Sequence, residues 1–355
     1  SNELVLHVIE LKTNGPAKSL APLSELFHEN ILHINKILEK HDAKLMPAGT
    51  HPFMDPYTET HLWPHEYNPV YESYNRIFDC RGHGWSNLQS LHLNFPFAND
   101  DEFGKLHAAI RLILPILPAI TASTPIIGGR NSGLLDARLD YYRKNQKKIP
   151  SLTGSVIPER VYTLKDYREI IFNKIYKDIT PFDPDEIMRN EWLNSRGAIA
   201  RFDRYTIEIR TVDIQECPKA DIAIVKLVTT LLQNLISEKW TSIAEQMTWH
   251  EDDLSKIFLV NIANAENTLI DNKDYLAMFG FTCGDSCTSK ALWRHIINEI
   301  NGAAIENDPL EVILNKGTLA SRILKAMSDN YSKDNIVKVY DRLSDCLSKN
   351  EMFVP

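Results

Sequence analysis

The stretch Tyr205–Asp213, YTIEIRTVD, restricts the possible folds more than any other part of the chain. Its residues alternate, so in an extended backbone Ile207 and Ile209 share one face while Glu208 and Arg210 share the other. Its β-branched content favours a strand. A carboxylate and a guanidinium then project from one side, roughly 6–7 Å apart along the strand. One can hold a divalent cation, the other a phosphate or carboxylate oxygen. The plainer alternative is a salt-bridged pair on an ordinary exposed sheet face.

A second stretch, Gln89–Phe97, has the same habit: Leu91, Leu93 and Phe95 lie on one side, and Ser90, His92 and Asn94 on the other. Two strands of this kind predict a sheet with an apolar inner face and a polar outer face. There His92 and Glu208 could share one metal, with Asn94 and Arg210 beside them. The alternative for His92 is a hydrogen-bonded strand histidine.

The rest of the sequence narrows the class. With 355 residues the chain is long enough for one large or two ordinary domains. A net charge of −8 argues against nucleic acid as the main partner, since phosphate binding needs a basic surface. The longest apolar run, around Ile110–Ile120, is interrupted by Pro115 and Pro118 and falls short of the ~20 residues a bilayer requires, so no membrane partner is expected. No signal peptide is recognised, and the sparse, odd set of five cysteines predicts reduced thiols in a cytoplasmic setting. Cys283 and Cys287 have no matching Cys/His pair for a zinc site.

Along the chain, Leu4–Leu11 reads as either a helix or a strand; on a helix Glu3 and Glu10, seven apart, return to nearly one face. Pro22–His41 predicts an amphipathic helix and Ala43–Ala48 a short strand. Gly49–Asn68, rich in proline, reads as a substrate-side loop or a structural connection. Asp100–Thr121 predicts a long helix capped by Asn99 or Asp100 and kinked by its prolines. Asn145–Val161 reads as a flexible connection or a lid. Arg196, Arg201 and Arg204 could neutralise a polyphosphate, or be surface charge. From Cys217 onward the pattern is helical, including Asp221–Glu238, Ser289–Ala303 and Ile336–Leu347. The expected organisation is a catalytic sheet domain over 1–238 and a helical region over 239–355 packed on it.

These stretches resemble the glutamate–cysteine ligase family in its broad carboxylate–amine ligase branch. The resemblance spans roughly Glu3 to Leu235, with a weaker echo at 317–324. It rests on Ser90-Leu91-His92-Leu93-Asn94-Phe95, on Ser123-Thr124-Pro125 followed by residues 129–138, and on Ile207-Glu208-Ile209-Arg210-Thr211-Val212-Asp213. It implies an α+β fold of the glutamine synthetase-like kind, a curved antiparallel sheet with flanking helices and a helical C-terminal part. It implies ATP as co-substrate, two or three Mg²⁺ ions, glutamate or a related carboxylate, and an acceptor amine, cysteine foremost. It implies that Glu208 and His92 ligate one magnesium, and that Glu3 and Glu10 serve the other ions and the attacking amine. By the same resemblance Arg210 faces phosphate, with Arg201 as a second ATP contact, and Arg138 receives the glutamate substrate, with Asn94 and Arg130 as further contacts. A monomer or homodimer is expected.

One family feature has no counterpart here: an opening strand with consecutive glutamates after a Gly-Val or Gly-Ile pair. Either that strand lies upstream of Ser1 or the protein lacks it; a protein that lacks it favours a non-catalytic sensor of nucleotide or amino acid, whereas His92, Glu208 and Arg210 favour the ligase. A phosphotransferase of the guanidino-kinase kind on the same sheet is a third expectation.

Overall fold

A computed structural model describes residues 2–300 and 308–355. Among these, the strands in chain order are β1 (Ser90–Pro96), β2 (Ile126–Ile127), β3 (Arg130–Asn131), β4 (Ala198–Arg201), β5 (Thr206–Asp213), β6 (Leu269–Ile270) and β7 (Cys287–Thr288). The principal sheet is antiparallel in the order β1-β5-β4; β2-β3 and β6-β7 form two small antiparallel pairs. Helices make up most of the rest, so the fold is α+β and no barrel closes among the described residues.

The two stretches with alternating pattern are therefore neighbours, and β5 is the central strand. Asn94 lies opposite Glu208, Leu93 opposite Ile209 and Phe95 opposite Ile207, while Ile199 of β4 lies opposite Glu208 on the other side. Between Leu91↔Val212 and Leu93↔Ile209 the register shifts by one residue, so Arg210 and Thr211 together face His92. This bulge kinks β5 at the residue that carries the guanidinium.

The apolar side of the sheet is sealed by Leu93, Ile207 and Ile209, each at most 4% exposed. They pack in one large core with the helices Asp100–Ile113 and Pro218–Ile236. That core continues through Leu254, Trp293 and Leu310, so residues on both sides of position 238 contribute to it. Asn99 caps the first helix by accepting from the Glu102 N–H. Pro115 and Pro118 break the expected long helix, which gives way to a 3₁₀ turn, Leu114–Ile116, and a short helix, Pro118–Thr121. A smaller core joins Ala48, Ile126 and Phe353 to the helices Leu319–Met327 and Lys333–Lys349. Beneath it Arg322 and Glu216, both fully buried, form an ion pair; Arg322 also donates to the Phe353 carbonyl (2.6 Å), and the Phe353 N–H donates to Glu216 (3.2 Å).

Several expectations change. Leu4–Leu11 is neither helix nor regular strand; it turns at Leu6–His7 and is pinned by Leu6 N–H to His61 O and Trp63 N–H to Leu4 O, both 3.0 Å, with a bridge between Val5 and Leu62. Ala43–Ala48 has no strand partner among the described residues. Residues 145–161 are no lid: Ile149, Leu152, Val156, Ile157 and Val161 are at most 4% exposed, and Leu152 and Val156 accept from the N–H groups of Ser195 and Gly197. The aperiodic apolar residues of that segment are wedges into the core. The C-terminal end of the expected helix Ser289–Ala303 lies outside the described residues; the helix is seen over Ser289–Glu299.

Candidate active site

On its other side the sheet forms a recess rather than an open face. Glu208 is 5% exposed and held by two guanidiniums: Arg210 Nε donates to Oε1 at 2.6 Å, and Arg201 Nη1 stands 3.6 Å from Oε2. His92 Nδ1 is 3.9 Å from Glu208 Oε1, and its Nε2 is 2.9 Å from Ser90 Oγ. Burial alone would raise the Glu208 carboxyl, but Arg210 foremost, then His92 and Arg201, bring it down to about 2. Burial would lower Arg210, yet Glu208 outweighs it and raises the guanidinium above its ordinary value. His92 is held below its ordinary value by the surrounding protein, with Glu208 opposing and Arg210 and Arg138 adding to the effect. Its ring keeps 41% of its surface accessible, so a neutral imidazole is open to a ligand at pH 7.

The N-terminal segment crosses this recess. Burial, and next the charge of Glu10, raise the Glu3 carboxyl, while Arg210 and Lys12 oppose them. Glu3, Glu10 and Arg210 therefore act on one another electrostatically. His7 anchors the segment through a 2.8 Å contact with the Ser86 carbonyl.

Behind Arg210 lies a second layer, in which sequence reasoning singled out Arg138 but not Asp213 or Asp136. Asp213, fully buried, accepts from Ser123 N–H (2.8 Å), Ser123 Oγ (3.1 Å) and Thr124 Oγ1 (3.2 Å), and pairs with Arg138. Arg138, 1% exposed, also reaches the Arg210 carbonyl at 3.4 Å, and its Nη2 has no hydrogen-bond partner among the described residues. Asp136 lies alongside; burial, and then the charge of Asp213, raise its carboxyl well above the ordinary value, with Arg138 opposing. All three stretches that carried the resemblance thus have residues in or beside one buried network. The only signal for Asp213 was its place at the end of the β5 motif.

The remaining expected residues are distributed differently. Asn94 lies opposite Glu208 and accepts from Thr206 Oγ1 at 3.2 Å. Arg201 serves Asp203 as well as Glu208. Arg196 is 2% exposed and doubly bonded to Glu159 at 2.5 Å, which makes it structural, and Arg204 is 62% exposed beside Asp203. Arg130 sits exposed on the β2-β3 pair.

Among the described residues no three His, Cys, Asp or Glu side chains converge as a ready metal cage. The donor types nevertheless suit a hard cation carried by phosphate. Magnesium commonly takes only one or two carboxylates from the protein and completes its shell with phosphate oxygens and water. Glu208, Glu3 and Glu10 are oxygen donors of this kind, and His92 is neutral beside Glu208. Among the described residues no helix is long and apolar enough to cross a membrane.

Known proteins give this arrangement a context. The family model described as glutamate–cysteine ligase family 2 matches residues 1–341. A protein of Archaeoglobus fulgidus, itself described as uncharacterized, is 32% identical over 355 residues, covering 99% of this chain and 88% of that protein. The chain belongs to glutamate–cysteine ligase family 2, and that membership implies a carboxylate–amine ligase.

Proposed function

We propose that this protein is an ATP-dependent ligase that joins the γ-carboxylate of glutamate, or a related carboxylate, to an amine through an acyl phosphate. The observation that carries this reading is the recess itself: in a chain of this family, acidic and imidazole groups surround a guanidinium already fixed on Glu208. A carboxylate is a poor electrophile. Its oxygen attacks the γ-phosphorus of ATP and ADP leaves; the amine nitrogen then attacks the acyl carbon and phosphate leaves. Neither step needs a protein nucleophile, but both need negative charge neutralised where it develops.

Each group has a part in this scheme. Arg210 keeps Nε on Glu208 and Nη1 on the Asn194 carbonyl, and turns Nη2 to phosphate. Arg201 holds the opposite oxygen of Glu208 and adds positive charge beside it. Magnesium, when bound through Glu208, His92, Glu3 and Glu10 together with phosphate oxygens, would supply further charge neutralisation. Of Glu3 and Glu10, the carboxylate oxygen left free of metal takes the proton released by the attacking amine. Arg138 is shielded by Asp213 and the Arg210 carbonyl, so it meets a substrate carboxylate only through its unpartnered Nη2.

The test is release of ADP and phosphate from Mg-ATP and glutamate with cysteine and then other amines, with the product identified by mass. Glu208→Ala is expected to abolish turnover while leaving the fold intact; full activity in that variant removes the proposal. A second reading, a sensor without catalysis, is favoured by one observation: two guanidiniums already occupy the Glu208 carboxylate. It predicts saturable binding of nucleotide or amino acid with no product.

A further inference from the structure

Away from the recess, a pocket of about 210 Å³ opens between residues 44–53 and the helix Lys333–Lys349. That volume lies below the roughly 300–1,000 Å³ of sites for drug-sized ligands, so the pocket suits a smaller molecule. Met46, Phe53 and Val337 give it apolar walls. Lys44 and Asp341 stand at the pocket as an ion pair 2.9 Å apart, each about half exposed. Tyr340 also lines it, is 4% exposed, and has a hydroxyl without a hydrogen-bond partner among the described residues. A buried polar group left unpaired in a native core points to a missing partner.

We infer that this pocket binds one small amino acid with an apolar side chain, as the free zwitterion. Lys44 takes its carboxylate, Asp341 takes its ammonium, the side chain lies against Met46, Phe53 and Val337, and the Tyr340 hydroxyl, covered in this structure, donates to the carboxylate once the Lys44–Asp341 pair opens. An exposed ion pair contributes little to stability, so opening it to admit a ligand with the complementary pair of charges costs little. A lone cation or anion would leave one partner unmatched.

The chain segment that forms one wall of the pocket continues into the layer behind Arg210. Gly49, in the same segment as Met46 and Phe53, donates its N–H to Ser123 Oγ at 2.9 Å. A Cβ at Gly49 would lie 2.7 Å from Thr124 Cγ2 and 3.1 Å from the Asp213 carboxyl carbon. The binding inference itself does not rest on the proposed ligase activity.

The test is calorimetry on the full chain with leucine, methionine and phenylalanine, against leucinamide, N-acetylleucine and isovalerate. The expected result is saturable binding of a free amino acid, weakened at least about tenfold by blocking either charged end or by Lys44→Ala or Asp341→Ala. Val337→Trp, at a position 41% exposed and so tolerant of a larger side chain, is expected to abolish it, with circular dichroism confirming the fold. Binding should persist in Glu208→Gln, which separates this pocket from the recess. Binding lost in Glu208→Gln but kept in Val337→Trp overturns the inference, as does isovalerate binding as well as leucine, or no binding at millimolar concentrations.

Discussion

Replacing Glu208 by Gln keeps its shape and removes its charge, which leaves Arg210 and Arg201 facing each other without their shared counter-ion. The structure sets the size of the effect. The carboxyl moves from an ordinary 4.5 to about 2 on folding. At about 1.4 kcal/mol per tenfold change in proton affinity this corresponds to roughly 3 kcal/mol of stability at pH 7. Glu208 is 5% exposed, so water screens little of it. A chain of 355 residues unfolds with an entropy of roughly 0.75 kcal/mol per degree, so the midpoint should fall by about 4 °C. A carboxylate depressed by folding stabilises above its unfolded value and loses that contribution as pH falls through its folded value. Scanning calorimetry should therefore show the full gap between wild type and Glu208→Gln at pH 7, narrowing below about pH 4.5. The double variant Glu208→Gln/Arg210→Met should recover part of the loss, because the guanidinium is what the carboxylate serves. Equal midpoints at pH 7, or a gap that does not change with pH, would refute the assignment of an ionised, paired Glu208.

Two other substitutions probe the layer behind it. Asp213→Ala strands the buried Arg138 guanidinium and should cost about 3–5 kcal/mol, read as a lowered thermal midpoint or loss of soluble protein. Asp136→Asn should cost far less than Asp213→Ala, because folding disfavours the Asp136 charge and Asn still accepts the Leu139 N–H. A carboxyl raised by folding loses its contribution as pH increases, so wild type should weaken relative to Asp136→Asn toward alkaline pH in the same calorimetry; the opposite trend would assign an ionised Asp136.

Much of this arrangement was legible in the sequence because strand alternation is a short-range signal. Ile207 and Ile209 are buried as their spacing required, and Glu208 and Arg210 meet as the same spacing required. Three things were not legible. The bulge that sets Arg210 and Thr211 against His92 depends on pairing between segments more than a hundred residues apart, and no local residue marks it. Asp213 matters because Ser123, Thr124 and Arg138 converge on it, which only the folded chain reveals. Residues 145–161 looked mobile because their polar and glycine positions suggest a loop, yet their apolar side chains fill gaps in the core without any period.

The buried pair of Glu216 and Arg322, closed by Phe353, bears on how the chain is made. Glu216 lies three residues beyond the central strand, but Phe353, which seals it, comes 137 residues later. At about 5–20 residues per second, the ribosome needs roughly 7–27 s to cover that distance. A carboxylate destined for the interior has no counter-charge until Arg322 is made, 106 residues after it, and no cover until Phe353 follows. The end of the sheet therefore stays wet while the earlier part of the large core is being assembled, and its lock waits for residues made long after the strand itself.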